Sequence, residues 1–172
     1  MISLLPTRLH WIKDDGKDDP KDLCAHSPVR LEINGDTLVA PEDGDATVSA
    51  AALYLLRTLE ADHTKLNPVG DQLFPCCGHG MFDTGDADVV ISGCPNGSEV
   101  FVERLGDITR LTTPAGVSYE VPNDEWRGAV HDFSDAVLDF YKQSASKTPH
   151  DDEQSAGFAK MMCEWKRRRG GP

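Results

Sequence analysis

The sequence predicts an α+β fold: an antiparallel meander sheet of about six strands, with one central helix and two C-terminal helices packed on it. Three observations predict it. Short runs of β character, split by Asn34-Gly35, Leu105-Gly106-Asp107 and Ala115-Gly116, stand at hairpin spacing and are therefore antiparallel. An alanine- and leucine-rich run over residues 49–62 consists of strong helix formers. Trp126, Val130, Phe133, Val137 and Phe140 follow one another at steps of four, three, four and three, the signature of an amphipathic helix.

At 172 residues the chain suits one domain. It reads as N-terminal strands over 1–45, a helix and a cysteine-rich turn over 46–97, a meander over 98–122 and a helical part over 123–172. Residues 3–12, interrupted by Pro6, read as an edge strand, where proline is tolerated. Val29-Arg30-Leu31-Glu32-Ile33 alternates as a half-buried strand does, and Asn34-Gly35 turns it back into Thr37–Val39. Thr47 or Ser49 is placed to cap the first helix, whose apolar stripe is Ala52, Leu55, Leu56 and Leu59. Four strands, 89–92, 98–104, 108–112 and 117–121, make up the meander. Asn123 is the expected N-cap of the second helix, which runs to about Ser144. Asp151 or Asp152 opens the last one, with Phe158, Met161, Met162 and Trp165 as its apolar face. Lys166–Arg169 reads as a helix terminus with a solvated basic tail, placed where cations suit the helix dipole.

The formal net charge of −12 argues against nucleic acid as a partner, because phosphate recognition depends on clustered Lys and Arg. An acidic surface favours solubility and fast encounter with a basic protein. No run approaches the roughly 20 apolar residues of a membrane-spanning helix. The N-terminus lacks the apolar core and cleavage site of a secretory signal, so a cytoplasmic location is expected. The acidic turns Asp14–Asp22 and Asp83–Asp88 supply the candidate contact residues Asp14, Asp15, Asp18, Asp19, Asp22, Asp83, Asp86 and Asp88. Asp83, Asp86 and Asp88 do not form a calcium loop, since the glycine is misplaced and no bidentate Glu follows.

Unusual chemistry concentrates between Leu73 and Gly97, which hold three of the five cysteines and five of the fifteen glycines. Cys76, Cys77, His79 and Cys94 are the constellation with metal-ligand potential, and zinc is the cofactor they would take; none is otherwise expected. Pro95 and Gly97 after Cys94 match turns found at zinc knuckles, yet neither end carries a C-x₂-C pair. Cys24 or His26 is a further candidate to complete such a site. Packed small side chains and a Cys–His nucleophile, with His79 or His131 as base, are the other readings of the same residues. The absence of a phosphate-binding loop, H-E-x-x-H or G-x-S-x-G weighs against an enzyme.

Four stretches together resemble a family of uncharacterised bacterial proteins. They are Val48-Ser49-Ala50 opening a Leu-rich helix, Phe74-Pro75-Cys76-Cys77-Gly78-His79, Gly93-Cys94-Pro95-Asn96-Gly97, and Phe133-Ser134-Asp135-Ala136-Val137 with Phe140-Tyr141. That family is similar in kind to the immunity proteins of bacterial polymorphic-toxin systems. The resemblance implies a non-enzymatic inhibitor that binds a basic toxin or effector. Pro75-Cys76-Cys77-Gly78 also resembles the turn of small CPCC domains, with Phe74 where their first cysteine would precede the proline. A zinc-binding or thiol-dependent module centred on Cys76, Cys77, His79 and Cys94 is the alternative reading.

Overall fold

A computed structural model of the chain describes residues 1–12, 17–78, 80–94 and 96–170. Its fold is α+β, with mainly antiparallel strands followed by two C-terminal helices. The strands do not form the single six-stranded meander expected. They divide into a five-stranded sheet, a three-stranded meander and two short ladders.

Five strands open the chain: β1 (Ile2–Pro6), β2 (His10–Trp11), β3 (Ala25–Ile33), β4 (Asp36–Val39) and β5 (Asp45–Thr47). The nine-residue β3 is the hub of their sheet. Its C-terminal half pairs with β1 and β4, and its N-terminal half pairs with β2 and β5. Residues 3–12 are thus two strands, not one, and Pro6 closes the first opposite Val29. Asn34 and Gly35 both have positive φ, which gives the β3–β4 hairpin the turn its sequence promised.

Helix α1 (Val48–Thr58) follows. Every residue from Val48 to Leu56 is buried, so it is a core helix enclosed on all sides, where a one-sided stripe was expected. Thr47 stands at the N-cap but turns its hydroxyl to the Cys76 carbonyl and the His26 ring. The cysteine-rich segment contributes four small strands: β6 (Phe74–Pro75), β7 (Gly80–Phe82), β8 (Val90–Ser92) and β9 (Gly97–Ser98). β6 pairs with β9, and β7 with β8. Residues 89–92 therefore belong to a separate hairpin. The meander itself is β10 (Phe101–Leu105), β11 (Ile108–Thr112) and β12 (Ser118–Pro122).

Helix α2 (Asn123–Gln143) buries Trp126, Val130, Phe133, Val137 and Tyr141. The last step of its stripe is four, which makes Tyr141 the core residue; Phe140 is only partly buried and stacks on Trp11. Helix α3 (Asp152–Arg169) begins at Asp151, whose carboxylate accepts the Gln154 N–H. Met161 and Trp165 are buried on its inner face, as the sequence implies, while Phe158 and Met162 are partly covered. No described helix is long and apolar enough to cross a membrane.

An ion-pair cluster joins these parts. The Glu164 carboxylate on α3 is sealed from solvent. It accepts hydrogen bonds from Arg57 Nε and Nη2, Arg168 Nε and the Val89 N–H. Arg57 also donates to the carbonyls of Val69 and Val89, and Arg168 reaches Glu60 and Asp88. Arg168 is therefore an internal clamp and Arg169 pairs with Asp135, while Lys166 and Arg167 keep the exposed position the sequence suggested. Deleting one member of such a buried pair strands the other charge. Glu164→Ala is expected to cost roughly 3–5 kcal/mol in urea denaturation, and a loss below about 1 kcal/mol would show the cluster to be peripheral.

Candidate functional site

The β6–β9 ladder pairs Phe74 with Ser98 and Pro75 with Gly97, and the Cys76 N–H then donates to the Asn96 carbonyl at 2.9 Å. Cys76 and Cys77 thereby lie against Cys94. Glycine makes that approach physically feasible. A Cβ on Gly93 would sit 1.9 Å from the Cys77 carbonyl oxygen, and one on Gly97 would sit 2.4 Å from that of Phe74. The Sγ atoms of Cys76, Cys77 and Cys94 all fall within 4.8 Å of one another. Cys76 and Cys77, although adjacent in sequence, hold their sulfurs 4.0 Å apart. The backbone N–H of Cys94 donates to Cys77 Sγ at 2.9 Å.

These contacts separate the thiols electrostatically. Hydrogen bonds from the Cys76 and Cys77 thiols, with help from the Asn96 and Cys77 amides, lower the Cys94 pKa to about 7 against the pull of desolvation. Its bond to Cys94 pushes Cys76 up to about 12, with burial and Cys77 acting in the same direction. Cys24 is a different case. It is fully enclosed, its S–H directed to the Gly78 carbonyl, and burial followed by the Asp22 charge raises it to about 12. His26 is also no free ligand, since Nδ1 bonds the Cys24 carbonyl and Nε2 meets the Thr47 hydroxyl. Of the predicted constellation, Cys76, Cys77 and Cys94 converge, and His79 lies outside the described residues.

Two clefts border this centre. One, of about 400 Å³, runs past Cys76 and Cys77 and is lined also by Ile12, Leu23, His26 and His150. The other, of about 410 Å³, lies between the β4–β5 connection and β9. Its lining includes buried Val29, Val39, Ala46 and Phe74, exposed Asp43 and Asp45, and Cys76. No Lys or Arg is among the described residues that line it.

The predicted acidic contact residues are placed as follows. Asp14 and Asp15 lie outside the described residues. Asp18 bonds the Lys147 ammonium at 2.7 Å, Asp19 accepts the Lys21 N–H, and Asp22 accepts those of Ile12 and Cys24. Asp83 bonds the Gly85 amide and pairs with Lys160, Asp86 accepts the Thr84 hydroxyl, and Asp88 pairs with Arg167 and Arg168. These side chains are committed to holding their own loops and joining them to α3 and the 144–148 segment. Lys147, in addition, sits 3.3 Å above the Trp11 ring, a cation–π contact that fixes the connection after α2.

Sequence reasoning missed Asp43 and Asp45, which lay in an apparently ordinary polar turn, and the His63–Glu99 pair. His63 Nδ1 accepts the Val69 N–H, which leaves the proton on Nε2 to bond Glu99 Oε1 at 2.8 Å. The same oxygen takes the N–H groups of Leu73 and Val100, so the pair staples the loop after α1 to the start of the meander. A lone His and a Glu 36 positions apart carry no sequence signal of such a bond. Comparison with protein-family models, curated proteins and solved structures returned no match.

Two outcomes follow for titration. After chelation and reduction, iodoacetamide at pH 7 should alkylate Cys94 first, because about half of it is thiolate. Cys24 should react only on unfolding; equal rates by peptide mass spectrometry would contradict the assigned hydrogen bonds. Among the carboxylates, burial works against the Asp88 charge, but Arg168, Arg57 and Arg167 outweigh it and hold its pKa below the usual range. The Arg169 hydrogen bond does the same for Asp135. The unfolded chain therefore takes up these protons first. Their stabilisation is complete above about pH 5 and is lost as pH falls through the folded-state values. Urea midpoints should decline below about pH 4, and less steeply in a D88N/D135N variant.

Proposed function

We propose that this chain is an inhibitory binding protein that seats a basic side chain of a protein partner in the acid-rimmed cleft beside β5. The observation that carries the reading is the cleft's composition. Val29, Val39 and Phe74 offer an apolar floor, Asp43 and Asp45 an anionic rim, and no described lining residue is a competing Lys or Arg. A lysine or arginine of the partner can lay its aliphatic stem along such a floor and place its charge between the carboxylates. Asp45 stands 3.4 Å from His10 Nε2, and Asp43 accepts the Ala40 N–H, so both rim groups are held in place.

The net charge of −12 supports the same reading at long range, since an acidic field steers a basic protein and raises its association rate. The internal pairing of Asp18, Asp83 and Asp88 moves the proposed contact from the two predicted turns to the 42–45 turn. The immunity-type role implied by sequence resemblance fits this binding mode, with a toxin or effector as the partner. Action is by occlusion, so the chain's own residues supply no chemical step.

The test is capture of partners from native host extract on wild-type and D43N/D45N baits, followed by binding kinetics on the captured protein. A basic protein should bind wild type with a rate that falls as salt rises, and the double variant should lower that rate by about tenfold. An unchanged rate and affinity in the folded double variant would overturn the assignment of this cleft.

A further inference from the structure

We propose that Cys76, Cys77 and Cys94 bind one thiophilic divalent cation of the zinc class, clamping the residues that follow β6 to those that follow β8. The inference is independent of partner binding at the neighbouring cleft.

Geometry is the first support. Zinc–sulfur bonds of about 2.3 Å at tetrahedral angles set ligand sulfurs about 3.8 Å apart. Cys76 and Cys77 already stand at 4.0 Å, and all three sulfurs lie within 4.8 Å. Closing the set around an ion requires side-chain shifts of less than about 1 Å by the same arithmetic. The neighbours in sequence would ordinarily point apart, yet here they face a common point, because the chain turns sharply between Pro75 and Gly78.

The second support is backbone preparation. The Cys94 N–H already donates to Cys77 Sγ at 2.9 Å. Amide donors of this kind orient a thiolate and stabilise its charge, as outer partners do at metal centres. Gly93 and Gly97 flank Cys94 and admit the opposing backbone at distances that any side chain would block.

The third is the bland alternative, which fits poorly. A cysteine that serves as a small apolar side chain is buried, as Cys24 is. Cys76, Cys77 and Cys94 are all partly exposed, and a cleft runs past Cys76 and Cys77. Their surroundings also need a clamp. The two ladders are two and three residues long, and strands so short supply little stability of their own. An ion joining Cys77 to Cys94 closes a loop of 17 positions and restricts the unfolded chain accordingly. Soft sulfur donors select zinc-like or cuprous ions over magnesium or calcium. The fourth coordination position falls to a ligand outside these three sulfurs.

The experiment is a titration of the full, reduced chain with cobalt(II), followed by displacement with zinc(II). Expected is one equivalent of cobalt, with the visible bands of a tetrahedral ion and a near-ultraviolet thiolate-to-cobalt band, both abolished by zinc. Cys94→Ser should weaken binding by more than the roughly 10–100-fold that follows loss of an outer-shell partner. Cys163→Ser, on exposed α3 surface, should leave it unchanged. Zinc should also raise the melting temperature of wild type and not of Cys94→Ser. Octahedral cobalt spectra, binding far below one equivalent, or equal affinity in folded Cys94→Ser would each overturn the proposal.

Discussion

The arrangement of this protein depends on one carboxylate that has no access to water. Glu164 sits on the inner face of α3 among Met161 and Trp165, where an unpaired charge would be prohibitively costly. Four donors from α1, α3 and the strand edge at Val89 satisfy it. Because Arg57 also holds the Val69 and Val89 carbonyls, the same cluster sets where the loop after α1 and the β7–β8 hairpin lie. A hydrophobic face could slide by a fraction of a turn. A four-donor carboxylate cannot, so it gives α3 a defined register against the rest of the core.

That register has a consequence for the cysteine-rich segment. The segment makes few ladder hydrogen bonds, and it is held by core side chains and polar ties to other elements. Within it Val89 is tied to Glu164, and just past its C-terminal end Glu99 is tied to His63. Phe74, buried against Phe133 of α2, anchors its start. Between these anchors the chain is free to bring Cys76, Cys77 and Cys94 together, with glycines removing the steric obstacle. The thiols are thus presented by anchors that lie outside the two short ladders.

The acidic character of the chain divides into two parts with different physical roles. Asp18, Asp83, Asp88 and Asp135 neutralise lysines and arginines within the fold, and their folded-state pKa values are lowered, that of Asp83 first by the Gly85 amide and then by Lys160. Asp43 and Asp45 flank a cleft without cations among its described lining residues. Sequence alone could not separate Asp18, Asp83 and Asp88 from Asp43 and Asp45, because all five lie in short polar turns. What separates them is whether α3, or the segment after α2, returns a cation to the turn.

What the sequence by itself determined are features set by near neighbours. The Asn34-Gly35 hairpin, the Asp151 cap, the inner faces of α2 and α3, and the α+β class follow from local sterics and from periodicities of two and 3.6. It also marked Cys76, Cys77 and Cys94 as unusual. Only the tertiary structure decided that β3 is flanked on both sides, that α1 is buried all round, and that Arg168 folds inward onto Glu164. It likewise decided that three thiols meet while Cys24 is sealed beneath them. These depend on groups tens of positions apart, whose desolvated charges and close backbone approaches are satisfied only once the helices and sheets have packed.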